Sequence, residues 1–201
     1  MAENLFLEGP VQLGKSTLLR KMLRPYIGLI GGFASQRMVD DHGRTVAFRI
    51  GPAAETALSV PYRGNENLPG IFRRTDESER ILKSPEVFDT LGVRYLTENH
   101  GKKLILLDEI GGAELLSCDF RKALYDVLAA DIPCIGVMKL EQSASFMSAT
   151  AGYSGEVMKQ NRRLRRNITE EYNGKIVEFK RESALAEREI EVFLCGIFTT
   201  K

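Results

Sequence analysis

The sequence has few of the residues from which metal centres and disulfide frameworks are built. Histidine occurs twice and cysteine three times in 201 residues, and no Cys-x-x-Cys pair or mixed Cys/His cluster is present. Because zinc sites and disulfide-rich domains depend on such spacings, the sequence predicts neither. The three cysteines, Cys118, Cys134 and Cys195, have apolar neighbours, and we expect buried structural thiols. His42 and His100 belong to no metal-binding pattern, and we expect both at the surface.

The chain also lacks an excess of either charge and a long apolar segment. Its 28 basic and 27 acidic side chains nearly balance, so no overall field favours nucleic acid or a membrane surface. No stretch approaches the roughly 20 apolar residues that span a bilayer. The N-terminus begins Met-Ala-Glu-Asn, without the basic start and apolar stretch of a signal peptide. We therefore expect a cytoplasmic protein with no membrane or nucleic-acid partner.

Apolar segments alternate with helical patterns over a length that suits one domain, residues 1–201. We predict strands at 5–7, 26–35, 44–50, 104–107, 133–138 and 175–179. Helices are predicted at 16–23, 85–96, 119–130 and 183–194, the last capped by Ser183. Strands that alternate with helices indicate an α/β fold with a mainly parallel central sheet.

Three regions depart from this alternation. Residues 26–35 and 44–50, separated by a polar turn at 40–43, predict an inserted β-hairpin. Residues 51–80 are rich in Pro, Gly, Asn and charged side chains, and we expect mostly loops there. From about residue 140 the patterns weaken, and we interpret 140–201 as a lid followed by a strand–helix extension.

The segment from Gly9 to Ser16 satisfies the phosphate-loop pattern Gly-x-x-x-x-Gly-Lys-Ser/Thr, the Walker A motif. Glycines let the loop curl so that its N–H groups converge on one anion, and the following helix adds the positive end of its dipole. Lys15 should reach the β- and γ-phosphates of a nucleoside triphosphate, and the Ser16 hydroxyl should ligate Mg²⁺. The predicted nucleotide-binding residues are Gly9, Pro10, Val11, Gln12, Leu13, Gly14, Lys15, Ser16, Thr17 and, from a second motif, Asp108.

The second motif is the apolar run Leu104 to Leu107 with the carboxylate pair Asp108-Glu109 after it. A strand that is apolar on both faces belongs in the middle of a parallel sheet, and its carboxyl end lies where ligands bind. Asp108 is expected to hold Mg²⁺ as a Walker B aspartate does, and Glu109 to accept a proton from an attacking water. The predicted metal ligands are therefore Ser16 and Asp108, and Mg²⁺ is the expected cofactor.

A basic run with Lys159, Arg162, Arg163, Arg165 and Arg166 follows the weakly patterned region. Three interpretations are open. The run can form a solvated helix face, or a lid whose arginine stabilises the γ-phosphate as charge develops there. An RNA-binding patch is the weakest of the three, because no aromatic residues are interleaved with these charges.

The residues around Asp108 extend into a longer match. Residues 104–117 have the sequence Leu-Ile-Leu-Leu-Asp-Glu-Ile-Gly-Gly-Ala-Glu-Leu-Leu-Ser. This resembles the signature of the nucleoside-triphosphatase family first known from thermophiles, whose animal member is called cancer-related nucleoside-triphosphatase. Two further landmarks are similar: a glycine-led hairpin that begins at Gly32-Phe33, and the pair Asn161-Arg162 near the C-terminus. The resemblance covers roughly residues 4–166.

The chain differs from this family at several positions. Gly112-Ala113 stands where Lys-Met is common, and Val11-Gln12-Leu13 replaces a loop interior usually rich in Pro and Gly. Arg163 stands where an acidic residue often follows the Asn-Arg pair. The residues after Arg166 have no clear family counterpart.

The resemblance implies a P-loop NTPase three-layer sandwich, RecA-like or kinase-like, that hydrolyses nucleoside 5′-triphosphates slowly and with broad specificity. It also implies that Lys15, Ser16 and Asp108 bind phosphate and Mg²⁺, that Glu109 activates water, and that Arg162 senses or stabilises the γ-phosphate. The expected catalytic residues are thus Glu109, Lys15 and Arg162.

Two alternatives to hydrolysis are open. A small kinase would use residues 141–166 as a lid, with an acceptor in place of water, and a regulatory module would bind ATP with little turnover. No Asn-Lys-x-Asp motif for reading guanine occurs, so strict GTP specificity is disfavoured. The expected ligand is a nucleoside triphosphate, ATP or GTP, and no feature identifies a protein partner.

Overall fold

The computed structural model describes residues 3–55, 57–62, 70–75, 81–83, 86–142, 155–180 and 184–199. Its strands are β1 (Asn4–Glu8), β2 (Ile30–Val39), β3 (Thr45–Pro52), β4 (Ser59–Pro61), β5 (Ile71–Thr75), β6 (Ile81–Lys83), β7 (Leu104–Ile110), β8 (Cys134–Met138) and β9 (Gly174–Glu178). Its α-helices are α1 (Lys15–Leu23), α2 (Val93–Thr97), α3 (Cys118–Ala129), α4 (Glu156–Glu170) and α5 (Ala184–Phe198). Short 3₁₀ segments span Arg24–Leu29 and Ala113–Leu116, and a π-helical turn, Phe88–Gly92, leads into α2.

All described strands belong to one sheet in the order β6-β5-β3-β2-β7-β8-β1-β9, with β4 paired to β2. The five strands from β2 to β9 in this order run parallel to one another. Every residue of β8 is buried, and β7 is buried except at Glu109. Apolar strands covered on both faces form the centre of parallel sheets, so the interpretation of 104–107 as a central strand is confirmed.

Helices cover both faces of the sheet. Successive strand residues point to opposite sides, so apolar side chains lie on each face and need to be buried. In β1, Leu5 and Leu7 belong to a core that α1 and α5 cover, whereas Phe6 belongs to a core that α2, α3 and α4 cover. Leu19 of α1 belongs to the first core and Phe120 of α3 to the second, and both side chains are buried. The predicted three-layer α/β sandwich is confirmed.

The predicted hairpin is also present. Strands β2 and β3 pair in antiparallel fashion, with Gln36 opposite Arg49. The Asp40 carboxylate closes the turn by accepting hydrogen bonds from the backbone N–H groups of His42 (3.0 Å) and Arg44 (2.8 Å). The first strand begins at residue 30 rather than 26, because 26–29 belong to the 3₁₀ segment that continues α1.

Two sequence predictions differ in part from the structure. Residues 51–80 were expected to be mostly loops, but the end of β3, β4 and β5 lie in this range, while residues 56, 63–69 and 76–80 are outside the described residues. Strand β5 is stabilised by backbone pairing with both β3 and β6, which the composition of this segment does not indicate. Of the three cysteines, Cys134 is buried, but Cys118 and Cys195 are exposed. Apolar neighbours in sequence did not bury them, because successive residues of a helix point in different directions.

Several other predictions are settled, or lie outside the described residues. His42 and His100 are exposed, as expected. Pro85, Ser183 and part of the predicted lid, residues 143–154, are outside the residues that the structure describes. Among the described residues, no helix is long and apolar enough to cross a membrane.

Candidate nucleotide-binding site

The phosphate loop connects β1 to α1 and has the tightly curled backbone that its glycines predict. Gly9 has φ +154°, and a Cβ atom at this position would lie 2.5 Å from the Phe179 carbonyl oxygen. Gly14 is the N-cap of α1 in a left-handed conformation, φ +95°. Only glycine tolerates both demands, a close approach and a positive φ, without strain. Helix α1 therefore begins at Lys15 with its N-terminus facing the loop, the geometry that favours anions.

Lys15 lies over this loop. Its Nζ donates hydrogen bonds to the carbonyl oxygens of Gly9 (2.7 Å) and Pro10 (2.6 Å), and its side chain is largely buried. Burial lowers the pKa of Lys15, and the nearby carboxylates of Glu109 and Asp108 oppose that shift. A largely buried ammonium held by the loop, at the start of α1, is placed to bind phosphate strongly.

Asp108 is buried, and each of its two carboxylate oxygens accepts a hydrogen bond. Ser16 Oγ donates to Oδ1 at 2.8 Å, and Arg20 Nη2 donates to Oδ2 at 3.1 Å. Burial and the neighbouring Glu109 raise the pKa of Asp108, and the contacts with Arg20 and Ser16 oppose this. The structure thus brings together Ser16 and Asp108, the two residues predicted to hold Mg²⁺.

Arg20 was not identified from the sequence. Besides Asp108, its guanidinium donates to the carbonyl oxygens of Ser35, at 2.8 Å, and Ala57. It therefore ties α1 to β2, β7 and the segment before β4. The signal in the sequence was its position four residues after Ser16, because residues four apart lie on the same face of a helix.

Glu109 points away from Asp108 although the two are adjacent. Its φ is +67°, and the pairing of β7 with β8 shifts register between Leu107 and Ile110. This irregularity turns the Glu109 side chain, 37% exposed, into the same cleft as the phosphate loop. One carboxylate is thus buried beside Ser16, and the next faces the space above the loop.

A second group of residues lies beside Glu109: Glu114 and Asn161, which the sequence identified only within the family landmarks, and Lys139, which it did not identify. Lys139 follows β8, and its Nζ is 3.9 Å from both Glu109 Oε2 and Glu114 Oε2. Glu114 is buried and accepts a 2.6 Å hydrogen bond from the Gly112 N–H. Asn161 of α4, also buried, donates to the carbonyl oxygens of Gly111 (2.8 Å) and Lys139 (3.2 Å). The Asp-Glu-Ile-Gly segment and the Asn-Arg pair therefore meet in space.

Arg162 lies outside the lining of the cleft. Its guanidinium forms an exposed ion pair with Glu141, and the hydrogen bond from Arg162 lowers the pKa of that carboxyl. Arg165, on the same helix, is closer to the phosphate loop, with Nη1 2.6 Å from Oε2 of Glu8. The role expected for Arg162 at the γ-phosphate stays a prediction.

The cleft above the loop has a volume of about 640 Å³. Gly9, Val11, Gln12, Gly14, Lys15, Ser16 and Thr17 form its phosphate-loop side, and of the predicted nucleotide-binding residues Pro10, Leu13 and Asp108 are not among its lining residues. The other walls come from Glu109, from β2, β3 and the residue before β4, and from the end of β8. A cavity of similar size, about 650 Å³, lies between α2 and α3 and includes none of the residues predicted to bind nucleotide or metal.

Comparison with known proteins gives a consistent family. A model of the family described as NTPase matches residues 4–172. Nucleoside-triphosphatase THEP1 of Thermococcus kodakarensis is 31% identical over 147 residues, which are 69% of this chain and 77% of that protein. The cancer-related nucleoside-triphosphatase homolog of Bos taurus is 28% identical over 137 residues, 64% of this chain and 70% of that protein.

Two solved structures have a similar fold. The solution structure of a human cancer-related nucleoside triphosphatase aligns over the whole of both chains, with a TM-score of 0.63 and 18% identity. The crystal structure of THEP1 from the hyperthermophile Aquifex aeolicus covers 95% of this chain and 98% of that one, with a TM-score of 0.58 and 18% identity. The likeness confirms the mainly parallel α/β architecture.

Proposed function

The chain belongs to the NTPase family whose model matches residues 4–172, and on this premise we propose that it hydrolyses nucleoside 5′-triphosphates to diphosphates and phosphate. We further propose that the reaction depends on Mg²⁺, is slow, and accepts both ATP and GTP. The observation that supports this proposal best is that Lys15, Ser16 and Glu109 line one cleft, while Ser16 also hydrogen-bonds to the buried Asp108 beside it.

The loop is suited to phosphate by its positive charge and by the direction of helix α1. The N–H groups of the curled loop and the start of α1 present partial positive charge to the cleft. Lys15 adds a full charge within the loop, where its pKa is already lowered by burial. A triphosphate bound there would have its β- and γ-phosphates beside Lys15, with the γ-phosphate nearest to Glu109.

The donor atoms of Ser16 and Asp108 fit Mg²⁺. Both are oxygen atoms, 2.8 Å apart, and Mg²⁺ is typically bound by one or two protein oxygens together with substrate phosphates and water. Arg20 binds the other carboxylate oxygen, so Oδ1 is the atom of Asp108 that remains directed at Ser16. When bound, the ion would neutralise charge on the phosphate oxygens.

Glu109 supplies the base in this proposal. Its carboxylate faces the cleft and is partly exposed, so a water molecule can lie between it and a γ-phosphate. Glu109 accepts a proton from that water, whose oxygen bonds to the γ-phosphorus as the bond to the bridging oxygen breaks. The products are a nucleoside diphosphate, which keeps the electron pair of that bond, and phosphate.

The experiment that tests the proposal measures phosphate release from ATP, GTP, CTP and UTP, with Mg²⁺ and with excess chelator. Release that requires Mg²⁺ and produces equal amounts of diphosphate and phosphate is expected. The same reactions with added nucleoside monophosphates separate hydrolysis from transfer. Formation of two diphosphates per triphosphate consumed, faster than phosphate release, would identify a kinase and refute the hydrolase.

A further inference from the structure

Lys139 lies just after strand β8, at the edge of the sheet, and no sequence motif identified it. Strand β8 lies between β1 and β7, and all three are parallel, so their carboxyl ends meet at one edge. Lys139 follows the end of β8 and therefore lies between the phosphate loop and Glu109. It lines the same cleft as Lys15 and Ser16. A second lysine thus faces the space proposed for the terminal phosphate.

The backbone of Lys139 is fixed from two sides. Its N–H donates a 2.8 Å hydrogen bond to the Ile110 carbonyl oxygen, just beyond the carboxylate pair of β7. Its own carbonyl oxygen accepts from the Asn161 side-chain amide at 3.2 Å. Because Asn161 is fully buried, these contacts hold the start of the Lys139 side chain against both β7 and α4.

The ammonium of Lys139 lies in a pocket that depends on a glycine. A Cβ atom on Gly112 would lie 2.9 Å from Lys139 Nζ and 3.0 Å from Glu114 Oε2. Any side chain at position 112 would therefore displace the ammonium. The buried Glu114 carboxylate, held in place by the Gly112 N–H, provides the negative charge on one side of this pocket.

The two carboxylates beside Lys139 differ in exposure. The side chain of Glu114 is 4% exposed and that of Glu109 is 37% exposed, and both lie 3.9 Å from Nζ. This distance exceeds that of a hydrogen bond, so neither carboxylate accepts one from the ammonium. The side chain of Lys139 is itself only 16% exposed, so the cleft shields it from much of the surrounding water. An anion in the cleft is placed to accept hydrogen bonds from this ammonium.

We propose that Lys139 binds the terminal phosphate of a nucleoside triphosphate as a second cation beside Lys15, and that Glu114 positions it. This inference rests on the proposed triphosphate site. The buried Glu114 carboxylate attracts the ammonium on one side, and the γ-phosphate and Glu109 lie on the other. Because a diphosphate lacks the γ-phosphate, Lys139 distinguishes triphosphate from diphosphate.

The test is an equilibrium one, so it does not depend on turnover. Binding of ADP and of a non-hydrolysable β,γ-imido analogue of ATP, each with Mg²⁺, is measured by calorimetry for the parent and for Lys139→Met. The variant is expected to bind the analogue about 10- to 100-fold more weakly, the range of one or two charge-assisted hydrogen bonds, with ADP affinity changed less than about 2-fold. Lys139→Arg should recover part of the loss.

Three further variants make the result specific. Lys103→Met removes an exposed lysine before β7 and is the matched control, expected to change neither affinity. Glu114→Gln keeps an acceptor for the Gly112 N–H but removes the charge, and Gly112→Ala displaces the ammonium without removing it. Both should weaken binding of the analogue more than binding of ADP. In a Lys139→Met background, Glu114→Gln should weaken analogue binding little further, because the two residues act as one unit.

Several outcomes would overturn the inference. Equal losses for ADP and the analogue in Lys139→Met would show a general effect on the loop, and unchanged analogue affinity would show no contact with the terminal phosphate. If Lys139→Met does not fold, as judged by thermal unfolding, the other two variants decide. An unchanged ratio of analogue affinity to ADP affinity in Gly112→Ala and Glu114→Gln would then refute the inference. A parent that binds the analogue tightly but releases no phosphate refutes the proposed hydrolysis alone.

Discussion

Ser16 Oγ donates a 2.8 Å hydrogen bond to Asp108 Oδ1 across 92 positions of the sequence. This contact joins the phosphate loop at the end of β1 to the carboxylate pair of β7, with β8 between them in the sheet. The two motifs were identified separately in the sequence, and the hydrogen bond places them in one site. Four predictions test this site and its surroundings.

Lys15→Ala is expected to weaken triphosphate binding by at least about 10-fold while leaving the fold intact. The ammonium donates hydrogen bonds to two loop carbonyls and is placed for phosphate, so its removal deletes charge-assisted contacts rather than core packing. Calorimetry with Mg²⁺–ATP measures the affinity, and thermal unfolding checks the fold. Lys21→Ala, on the exposed side of the same helix, is the matched control. Unchanged affinity in Lys15→Ala would refute the phosphate-loop assignment.

Glu109→Gln is expected to retain Mg²⁺–ATP binding but to release phosphate at least about 100-fold more slowly, the low end of general-base contributions. The amide has the size and reach of the carboxylate but cannot accept the proton of the attacking water. Single-turnover phosphate release and calorimetry measure the two effects, and ATP should remain with the variant after rapid desalting. Hydrolysis at the parent rate would show that Glu109 is not the base. It would favour a kinase that releases phosphate slowly when its acceptor is absent.

Arg162→Ala is expected to lower kcat by at least about 100-fold, the low end for loss of one transition-state donor, with little change in KM. This requires Arg162 to leave its ion pair with Glu141 and reach the γ-phosphate as charge develops. Glu141→Ala is the control, because it frees the arginine without removing it, and kcat should then stay at or above the parent value. If kcat in Arg162→Ala equals that of the parent, the basic run is a solvated helix face.

The cysteines should differ in reactivity. At pH 8 a thiol-specific disulfide reagent is expected to modify Cys118 and Cys195, which are exposed, but not Cys134. Burial raises the pKa of Cys134 to about 12, so its reactive thiolate is scarce as well as inaccessible. Absorbance of the released chromophore should count two thiols in the native protein and three in denaturant. The Cys134→Ala variant should keep the native count of two, and three reactive thiols in the native parent would contradict the buried position.

The sequence by itself predicted the elements that depend on local patterns. The glycine spacing of the phosphate loop, the apolar run of β7 and the periodicity of α1 and α3 each lie within a few consecutive residues. Backbone conformation and burial at this scale follow from residue type and period. Successive strand residues point to opposite faces, whereas a helix returns to the same face after three or four residues. The site residues Lys15, Ser16, Asp108 and Glu109 were identified for the same reason.

Only the tertiary structure decided which distant residues share the site. Arg20 meets Asp108, and Lys139 meets Glu114, because β8 lies between β1 and β7 and α1 packs beside them. Strands β4 and β5 likewise form by pairing with the hairpin of β2 and β3, and β6 by pairing with β5, which the composition of residues 51–80 does not indicate. Strand order and side-chain approach depend on long-range packing and backbone hydrogen bonding, and no local periodicity specifies either.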